Sequence, residues 1–151
     1  GGAILTQIHE IDYFLDLFKN YKITILSSSF GKYSNLKLDV EDTFNGEFLL
    51  KNKKNKFLSN IHLNFYTRPK KRYMEIFAQN GLVKIDFIQK KFEYFVKEKI
   101  FSKKFNFDNN KVFVDEIKFF IKSINQKKKI SKSLSLANGI KTLEFALKLK
   151  N

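Results

Sequence analysis

The first eighteen residues place apolar side chains at helical spacing. At about 100° per residue, Ile4, Ile8, Ile11, Leu15 and Phe18 fall on one side of a helix. The pattern therefore predicts an amphipathic helix that opens the chain and buries this side.

The other side of the predicted helix carries the densest group of reactive side chains in the sequence. Residues three or four apart are neighbours on a helix, so His9 lies near Asp12, Tyr13 and Asp16, with Thr6 one turn earlier. Imidazole titrates near neutral pH and can act as a general acid or base, and Asp12 can orient the ring. From the residue types alone, a purely structural role for His9 is the alternative.

From residue 22 the helical spacing gives way to short β-branched and aromatic segments. Residues 57–66 alternate with a period of two, which places Ile61 and Leu63 on one face and His62 and Asn64 on the other. Asn80-Gly81 predicts a hairpin with a type I′ turn. Strands are predicted at 22–29, 44–50, 57–66, 71–79, 82–87 and 92–96, with a short edge within 101–107.

Two further amphipathic helices are predicted to close the chain, separated by a basic loop at 126–130. Asp108, Asn109 or Asn110 can cap the first helix, and Ser133 or Ser135 the second. The order of elements predicts an α+β fold: an open, mainly antiparallel β-sheet with helices packed on one face, as a single domain over residues 1–151. The predicted buried stripes are Phe113, Ile117, Phe120, Ile121 and Ile124 in the first helix, and Leu136, Ile140, Leu143 and Leu147 in the second.

Composition narrows the class of protein. The 151 residues are 43% hydrophobic, enough for a buried core. No apolar run approaches the ~20 residues of a membrane span, and no signal-peptide pattern opens the chain, so no membrane association is predicted. The absence of cysteine excludes disulfides and thiolate metal sites and favours a cytoplasmic protein. No histidines and carboxylates stand at ligand spacing, so no metal site is predicted.

The net charge of +14 raises the question of nucleic-acid binding. The excess is mostly lysine at predicted turns, and the only arginines, the side chains best suited to reading bases, are Arg68 and Arg72. We therefore predict solvated surface lysines and no nucleic-acid partner. Nucleic-acid binding stays open as a minor alternative, which a steeply salt-dependent affinity would support.

The opening run GGAILTQIHEIDY resembles the start of the catalytic helix in the Gfo/Idh/MocA family of NAD(P)-dependent sugar and polyol oxidoreductases. The hairpin MEIFAQNGLVKID and the closing segments FVDEIKFFIKSI and SLSLANGIKTLEFALK are similar to later parts of the same domain. The resemblance implies a substrate-binding and oligomerisation domain that follows a Rossmann domain. Because no G-x-G-x-x-G is present, we predict that this chain lacks that nucleotide-binding domain, which would hold NAD or NADP, and is inactive alone.

The resemblance also implies that His9 is the catalytic acid/base. Many members carry an aspartate three or four residues earlier, where this chain has Thr6 and Leu5; Thr6 can hydrogen-bond a substrate hydroxyl but cannot act as a base. Polar side chains at a strand end suit sugar hydroxyls, and a guanidinium suits a carboxylate or phosphate. His62 is interpreted as a sheet-face histidine. The predicted substrate-binding residues are Thr6, Asp12, Tyr13, Asn64, Tyr66 and Arg68.

The predicted reaction is hydride transfer between nicotinamide and a carbinol carbon of a sugar. The HEIDY variant is similar to members linked to nucleotide-sugar and surface-polysaccharide pathways. The resemblance further implies a homo-oligomer through the open sheet face, around Tyr73, Glu75 and Phe77 or their neighbours on the opposite face. The alternative is a non-catalytic interaction domain in which His9 is structural. The sugar, the oxidised carbon and the choice between NAD and NADP are left open.

Overall fold

Helices and strands of the computed structural model, which describes residues 1–126 and 135–151, fall into two compact units. Among the described residues, the first contains residues 1–66 and 135–151, and the second contains residues 67–126. In chain order the elements are α1 (Gly2–Thr6), α2 (Ile8–Leu17), β1 (Lys22–Gly31), β2 (Thr43–Lys51), β3 (Lys56–Asn64), β4 (Tyr73–Ala78), β5 (Gly81–Asp86), β6 (Lys91–Val96), β7 (Lys99–Lys104), α3 (Asn109–Asn125) and α4 (Leu136–Lys148).

The first unit is a three-stranded antiparallel sheet, in the order β1-β2-β3, with α1, α2 and α4 against its apolar face. Phe44, Phe48 and Leu50 of the central strand are fully buried. The predicted stripe of the opening helix is confirmed, because Ile4 and Ile11 are fully buried. Ile8, Leu15 and Phe18 pack against the same core.

The predicted single opening helix is divided in two at Gln7. This residue has φ −105° and ψ 30°, outside the helical range. Its backbone N–H still donates to the Ala3 carbonyl at 3.1 Å, and its carbonyl accepts from the Glu10 N–H at 2.9 Å. The break therefore changes the direction of the helix with little loss of hydrogen bonding.

Gly2 starts α1 in a conformation that requires glycine. Its φ is +85°, and a Cβ at this position would overlap the Glu41 carboxylate. The Glu41 carbonyl accepts a hydrogen bond from the Ala3 N–H at 2.9 Å, and its carboxylate lies 2.8 Å from Lys150 Nζ. The first turn of α1 is thus held by Glu41, which lies two residues before β2.

The predicted alternation of residues 57–66 is confirmed by the pairing of β2 with β3. Phe44 pairs with Leu63 on the helix-covered face, and Asn45 pairs with His62 on the other face. That other face is polar, and Asn60 Nδ2 donates to Asn45 Oδ1 at 3.2 Å. One face of the sheet is therefore core and the other is hydrogen-bonded surface.

The second unit contains a four-stranded antiparallel sheet in the order β4-β5-β6-β7, together with α3. None of the residues in these four strands is fully buried. Asp108 caps α3 by accepting a hydrogen bond from the Asn110 N–H at 3.0 Å, one of the predicted caps. The predicted stripe of α3 is not a core face within the described residues, since its five side chains are between 51% and 64% exposed.

The predicted hairpin is present, but the predicted type I′ turn at Asn80-Gly81 is wrong. Ala78 pairs with Gly81, so the loop is residues 79 and 80, and neither Asn80 nor Gly81 has a positive φ. Gly81 is instead a ladder residue whose missing Cβ allows the Phe95 carbonyl to come close. Positive φ values occur at Lys97 and Glu98, 45° and 64°, in the two-residue loop between β6 and β7.

The predicted core stripe of α4 is also wrong. Leu136, Ile140, Leu143 and Leu147 are between 44% and 82% exposed. The face that meets the core instead carries Thr142, Phe145 and Ala146. Two small side chains on this face allow α4 to approach α2, which is why simple apolar spacing predicted the wrong side.

Ser135 caps α4, as predicted, by accepting from the Asn138 N–H at 3.3 Å. The alternative cap Ser133, and the predicted basic loop beyond Gln126, lie outside the described residues. The α+β fold class with antiparallel strands is confirmed, although the strands form two sheets. The single-domain assignment stays a prediction.

Candidate functional site

His9 lies on the first turn of α2 and presents its imidazole to solvent, with 57% of the side chain exposed. The helix beneath it is fixed because Ile11 and Phe14 are buried, and the Phe14 ring lies 5.3 Å from Phe48. Its Nε2 is 2.9 Å from Oε1 of Glu10, whose side chain is only 10% exposed. The site thus combines an accessible titratable ring with a largely buried carboxylate.

Asp12 faces α4, and its carboxylate accepts hydrogen bonds from that helix. Its Oδ1 accepts hydrogen bonds from Thr142 Oγ1 at 2.7 Å and from Asn138 Nδ2 at 3.4 Å. The carboxylate beside the imidazole is therefore that of Glu10, and the position of Asp12 ties α2 to α4. A substrate-binding role for Asp12 stays a prediction.

The end of β3 lies against the joint between α1 and α2. Gln7 Nε2 donates to the Asn64 carbonyl at 3.2 Å, which brings the segment from Thr6 to His9 alongside this strand end. Thr6 is exposed next to the joint, and Tyr13, one turn after His9, is half-buried. These contacts hold two groups of predicted substrate-binding residues in the same unit.

Asn64 is oriented by its neighbours on the strand. Its Oδ1 accepts from the Tyr66 N–H at 3.2 Å, and its Nδ2 lies 3.0 Å from His62 Nε2. The Tyr66 hydroxyl is 3.3 Å from Thr43 Oγ1. A chain of polar contacts therefore runs along the end of the sheet.

Asp42, just before β2, stabilises this end of the sheet. The carboxylate is fully buried, which by itself disfavours the charge. Hydrogen bonds from the Ser34 hydroxyl, the Tyr33 N–H, the Thr43 hydroxyl and the Ser34 N–H outweigh burial and hold the pKa of Asp42 well below its usual range. Asp42 is thus an ionised structural group that holds residues 33 and 34 against the strand.

Arg68 belongs to the second unit. Its guanidinium is exposed, and Nη1 donates to the Thr67 carbonyl at 2.9 Å. The bond between Arg68 and Pro69 is cis. Its proposed role in substrate binding stays a prediction.

No protein-family model matches this chain, and no curated protein matches it. Several solved structures match this chain. UDP-N-acetylglucosamine 3-dehydrogenase GnnA from Acidithiobacillus ferrooxidans matches with a TM-score of 0.71 and 18% identity over 95% of this chain and 44% of its own. A Thermotoga maritima protein named as an oxidoreductase matches with a TM-score of 0.71 and 20% identity, over 99% of this chain and 44% of its own.

The dehydrogenase MviM from Clostridium difficile matches with a TM-score of 0.68 and 20% identity, over 96% of this chain and 46% of its own. This chain therefore shares the fold of part of these dehydrogenase and oxidoreductase structures. This chain spans less than half the length of each of these structures.

Three residues near the candidate site were not predicted. Gln7 was missed because a polar residue inside a helical pattern gives no signal of a break. Glu10 was missed because adjacent residues on a helix point about 100° apart. Thr142 was missed because its contact with Asp12 joins residues 130 positions apart.

Among residues 1–126 and 135–151, no three histidine or acidic side chains are placed to hold a metal ion. Within the same ranges, no helix combines the length and apolar character that a membrane crossing needs. A shallow surface cavity of about 440 Å³ involves Phe30 and residues 38–41 and does not include His9.

Proposed function

We propose that this chain is the substrate-binding and oligomerisation domain of an NAD(P)-dependent oxidoreductase that acts on a carbinol of a sugar or nucleotide sugar. The observation that carries the proposal is the placement of His9. Its imidazole is accessible on the first turn of a helix whose opposite side is buried in the core. That placement occurs in a fold shared with dehydrogenases.

In the proposed reaction, His9 takes the proton of the substrate hydroxyl as the carbon–hydrogen bond breaks. The hydrogen would leave the carbon as hydride, which oxidised nicotinamide would accept when bound, and the electron pair of the broken O–H bond would form the carbonyl. In the reverse direction His9 returns the proton to the oxygen. General acid–base catalysis of this kind contributes about 10²–10⁴-fold to a rate.

The nicotinamide cofactor, which supplies or accepts the hydride when bound, does not fit the residues present here. The sequence has no glycine-rich phosphate-binding turn. We assign this chain the substrate side only: Thr6, Tyr13, Asn64 and Tyr66 to hydroxyl groups, and Arg68 to a phosphate or carboxylate. Asp12 is proposed as a further substrate contact through Oδ2, while its Oδ1 accepts a hydrogen bond from Thr142 of α4.

A nucleotide sugar is the proposed substrate class. GnnA is named for a reaction on UDP-N-acetylglucosamine, and its fold matches nearly all of this chain. A role in surface-polysaccharide biosynthesis follows from the HEIDY resemblance. The absence of cysteine suits a cytoplasmic enzyme.

The direct test is to sequence the coding DNA on the 5′ side of the Gly1 codon. A strand followed by G-x-G-x-x-G in the same reading frame would support the oxidoreductase and supply the nucleotide site. A start codon at that point, or an unrelated domain, would contradict it. The non-catalytic interaction domain would then be the better account.

We further propose that the four-stranded sheet mediates a homo-oligomer. Phe77, Leu82, Phe95 and Ile100 form one cross-strand row, and Phe77 is 76% exposed. The next cross-strand pair on the same face of β4 and β5 is Glu75 with Lys84. Lys84 Nζ lies 3.0 Å from Glu75 Oε1, and the Glu75 carboxylate raises the pKa of Lys84. A row of apolar side chains beside a charge-neutral ion pair is suited to contact with the same surface of a second copy of the chain.

Sedimentation velocity tests this oligomer. The wild-type chain is expected to sediment as a dimer or larger at micromolar concentration, and Phe77→Lys as a monomer. Leu58→Lys is the matched control, because Leu58 is 71% exposed on the polar face of the other sheet. A monomeric wild type, or equal effects of the two substitutions, would overturn the proposal.

A non-catalytic interaction domain is the second candidate, and one observation favours it. The predicted buried faces of α3 and α4 both stay exposed within the described residues, which is typical of surfaces that meet a partner. In that case substitution of His9 would change stability or partner binding, and the complete polypeptide would show no hydride transfer.

A further inference from the structure

The contact between His9 and Glu10 determines which nitrogen of the imidazole carries a proton. His9 Nε2 lies 2.9 Å from Glu10 Oε1. An ionised carboxylate can only accept hydrogen bonds, so a neutral imidazole in this contact must be protonated at Nε2. Its unprotonated nitrogen, the one able to accept a proton, is then Nδ1.

We propose that Glu10 is a positioning residue that holds His9 as the Nε2–H tautomer, so that Nδ1 is the atom that exchanges a proton with the substrate. The use of Nδ1 in catalysis rests on the function proposed above. The tautomer itself does not, since it follows from the 2.9 Å contact between Nε2 and an ionised carboxylate.

This contact is not a default of helix geometry. Side chains at adjacent positions diverge, so both must turn toward each other to meet. The Glu10 backbone N–H donates to the Gln7 carbonyl at 2.9 Å, and the Glu10 side chain is only 10% exposed, against 57% for His9. The carboxylate is therefore the fixed partner, and the exposed imidazole adjusts to it.

The arrangement suits proton transfer because Glu10 stays an acceptor throughout. When Nδ1 takes the substrate proton, both ring nitrogens are protonated, and Nε2–H continues to donate to the carboxylate. When Nδ1 returns the proton, the original tautomer is restored. The ring keeps one orientation in both states, which is the role of such second partners of catalytic histidines.

His62, the only other histidine, provides an internal contrast. The Asn64 amide is oriented because its Oδ1 accepts from the Tyr66 N–H, which points its Nδ2 at His62 Nε2. An amide NH₂ donates, so His62 Nε2 must accept and the ring proton must be on Nδ1. The two histidines of this chain are therefore expected to be opposite tautomers.

Two-bond hydrogen–nitrogen correlation NMR of the nitrogen-15-labelled 151-residue chain tests the inference, because it reports the protonated nitrogen of each ring. At a pH well above that at which imidazole ionises, we expect His9 as Nε2–H and His62 as Nδ1–H. We also expect slower solvent exchange of the His9 Nε2 proton than of a free imidazole proton. An Nδ1–H tautomer at His9 in the wild type would overturn the inference.

Two variants separate positioning from mere folding. Glu10→Met keeps the length of the side chain and removes the acceptor, so the two His9 nitrogen shifts should move toward each other and the Nε2 proton should exchange rapidly. Glu10→Asp keeps a carboxylate acceptor and should retain more of the wild-type pattern than Glu10→Met. His62 should be unaffected by both, and an unchanged His9 in Glu10→Met would contradict the inference.

The wild-type spectrum alone remains decisive if Glu10→Met does not fold. The experiment needs no turnover, so its outcome is independent of the proposed enzyme activity. A confirmed tautomer with no effect of His9 substitution on hydride transfer would refute the proposed function and leave the role of Glu10 as a structural fact.

Discussion

The two sheets of this chain are built from similar strands but differ in what covers them. In the first, α1, α2 and α4 pack on one face, and Phe44, Phe48 and Leu50 are fully buried. In the second, four strands pair in regular antiparallel register, yet no strand residue is fully buried. Aromatic and aliphatic residues alternate on both faces of the second sheet, which is typical of a sheet covered on both sides.

The difference shows which of the two sheets has a buried core among the described residues and which has none. The first sheet can stabilise the site because its helices bury the apolar side of α2 beneath His9. The second sheet has cross-strand pairs, such as the Tyr94 and Phe101 rings stacked 4.5 Å apart, but lacks a covering layer within the described residues. Its stability should therefore depend more strongly on association.

The largest expected difference between the sheets is the cost of deleting an aromatic side chain. Phe48→Ala should lower the free energy of unfolding by about 3–5 kcal/mol, because the ring is fully buried against Phe14 and Phe145. Phe92→Ala, the matched change in the half-buried β6, should cost about 1 kcal/mol. Hydrogen-exchange protection of amides in each sheet measures both. Equal losses would contradict the distinction.

The next effect concerns acid stability of the first sheet. Because the pKa of Asp42 is depressed in the folded chain, its ionised form stabilises the fold above the unfolded value of about 3.9. This stability is lost as pH falls from there toward the folded pKa, with uptake of about one proton on unfolding.

Asp42→Asn should lower stability near neutral pH and remove this acid-sensitive component. Urea unfolding followed by circular dichroism over a pH series measures it. Asp39→Asn is the control, since Asp39 is exposed in the same loop. A pH dependence unchanged by Asp42→Asn would exclude this role.

A smaller effect is expected at the start of α1. Gly2→Ala should cost about 2 kcal/mol, because a residue with a side chain is strained at φ +85° and its Cβ displaces the Glu41 carboxylate. Gly139→Ala should instead stabilise the chain by about 0.5–1 kcal/mol, since that position is in the exposed middle of α4 with open space around it. Thermal unfolding of both variants gives the comparison, and the same sign for both would be inconsistent with it.

A further small effect is predicted in the second sheet. Lys97 and Glu98 adopt positive φ values that Asn and Gly tolerate better. Replacing them with Asn-Gly should stabilise the β6–β7 hairpin by about 1 kcal/mol. We expect hydrogen-exchange protection to increase in residues 91–104 and to stay unchanged in β1–β3. Reduced protection there would show that the loop conformation is different.

Periodicity predicted those parts of the fold that depend on local spacing. It identified the buried stripe of α2, the alternation of β3 and the caps Asp108 and Ser135. It was wrong about the buried face of α4, because the small residues Thr142 and Ala146 pack there and exposed leucines keep the same helical spacing. The type I′ turn was wrong because Gly81 is needed within the ladder.

The sequence indicated candidate site residues, whose roles stay predictions, but it did not indicate their contacts. His9 and Asn64 follow from the sequence pattern, together with the polar strand end. The pairing of His9 with Glu10, and of Asp12 with Thr142, depends on side-chain orientation and on helix packing over long sequence separations. Neither is encoded in local spacing, which explains why Asp12 was expected beside the imidazole.

The measurement that tests the central claim most directly is hydride transfer by the complete polypeptide that this gene encodes. Formation of reduced nicotinamide would be followed with UDP-N-acetylglucosamine and related nucleotide sugars. His9→Asn should lower kcat by about 10²–10⁴-fold with little change in KM. Asp16→Asn, on the exposed side of the same helix, should leave both constants within a few-fold. Full activity in His9→Asn would contradict the account.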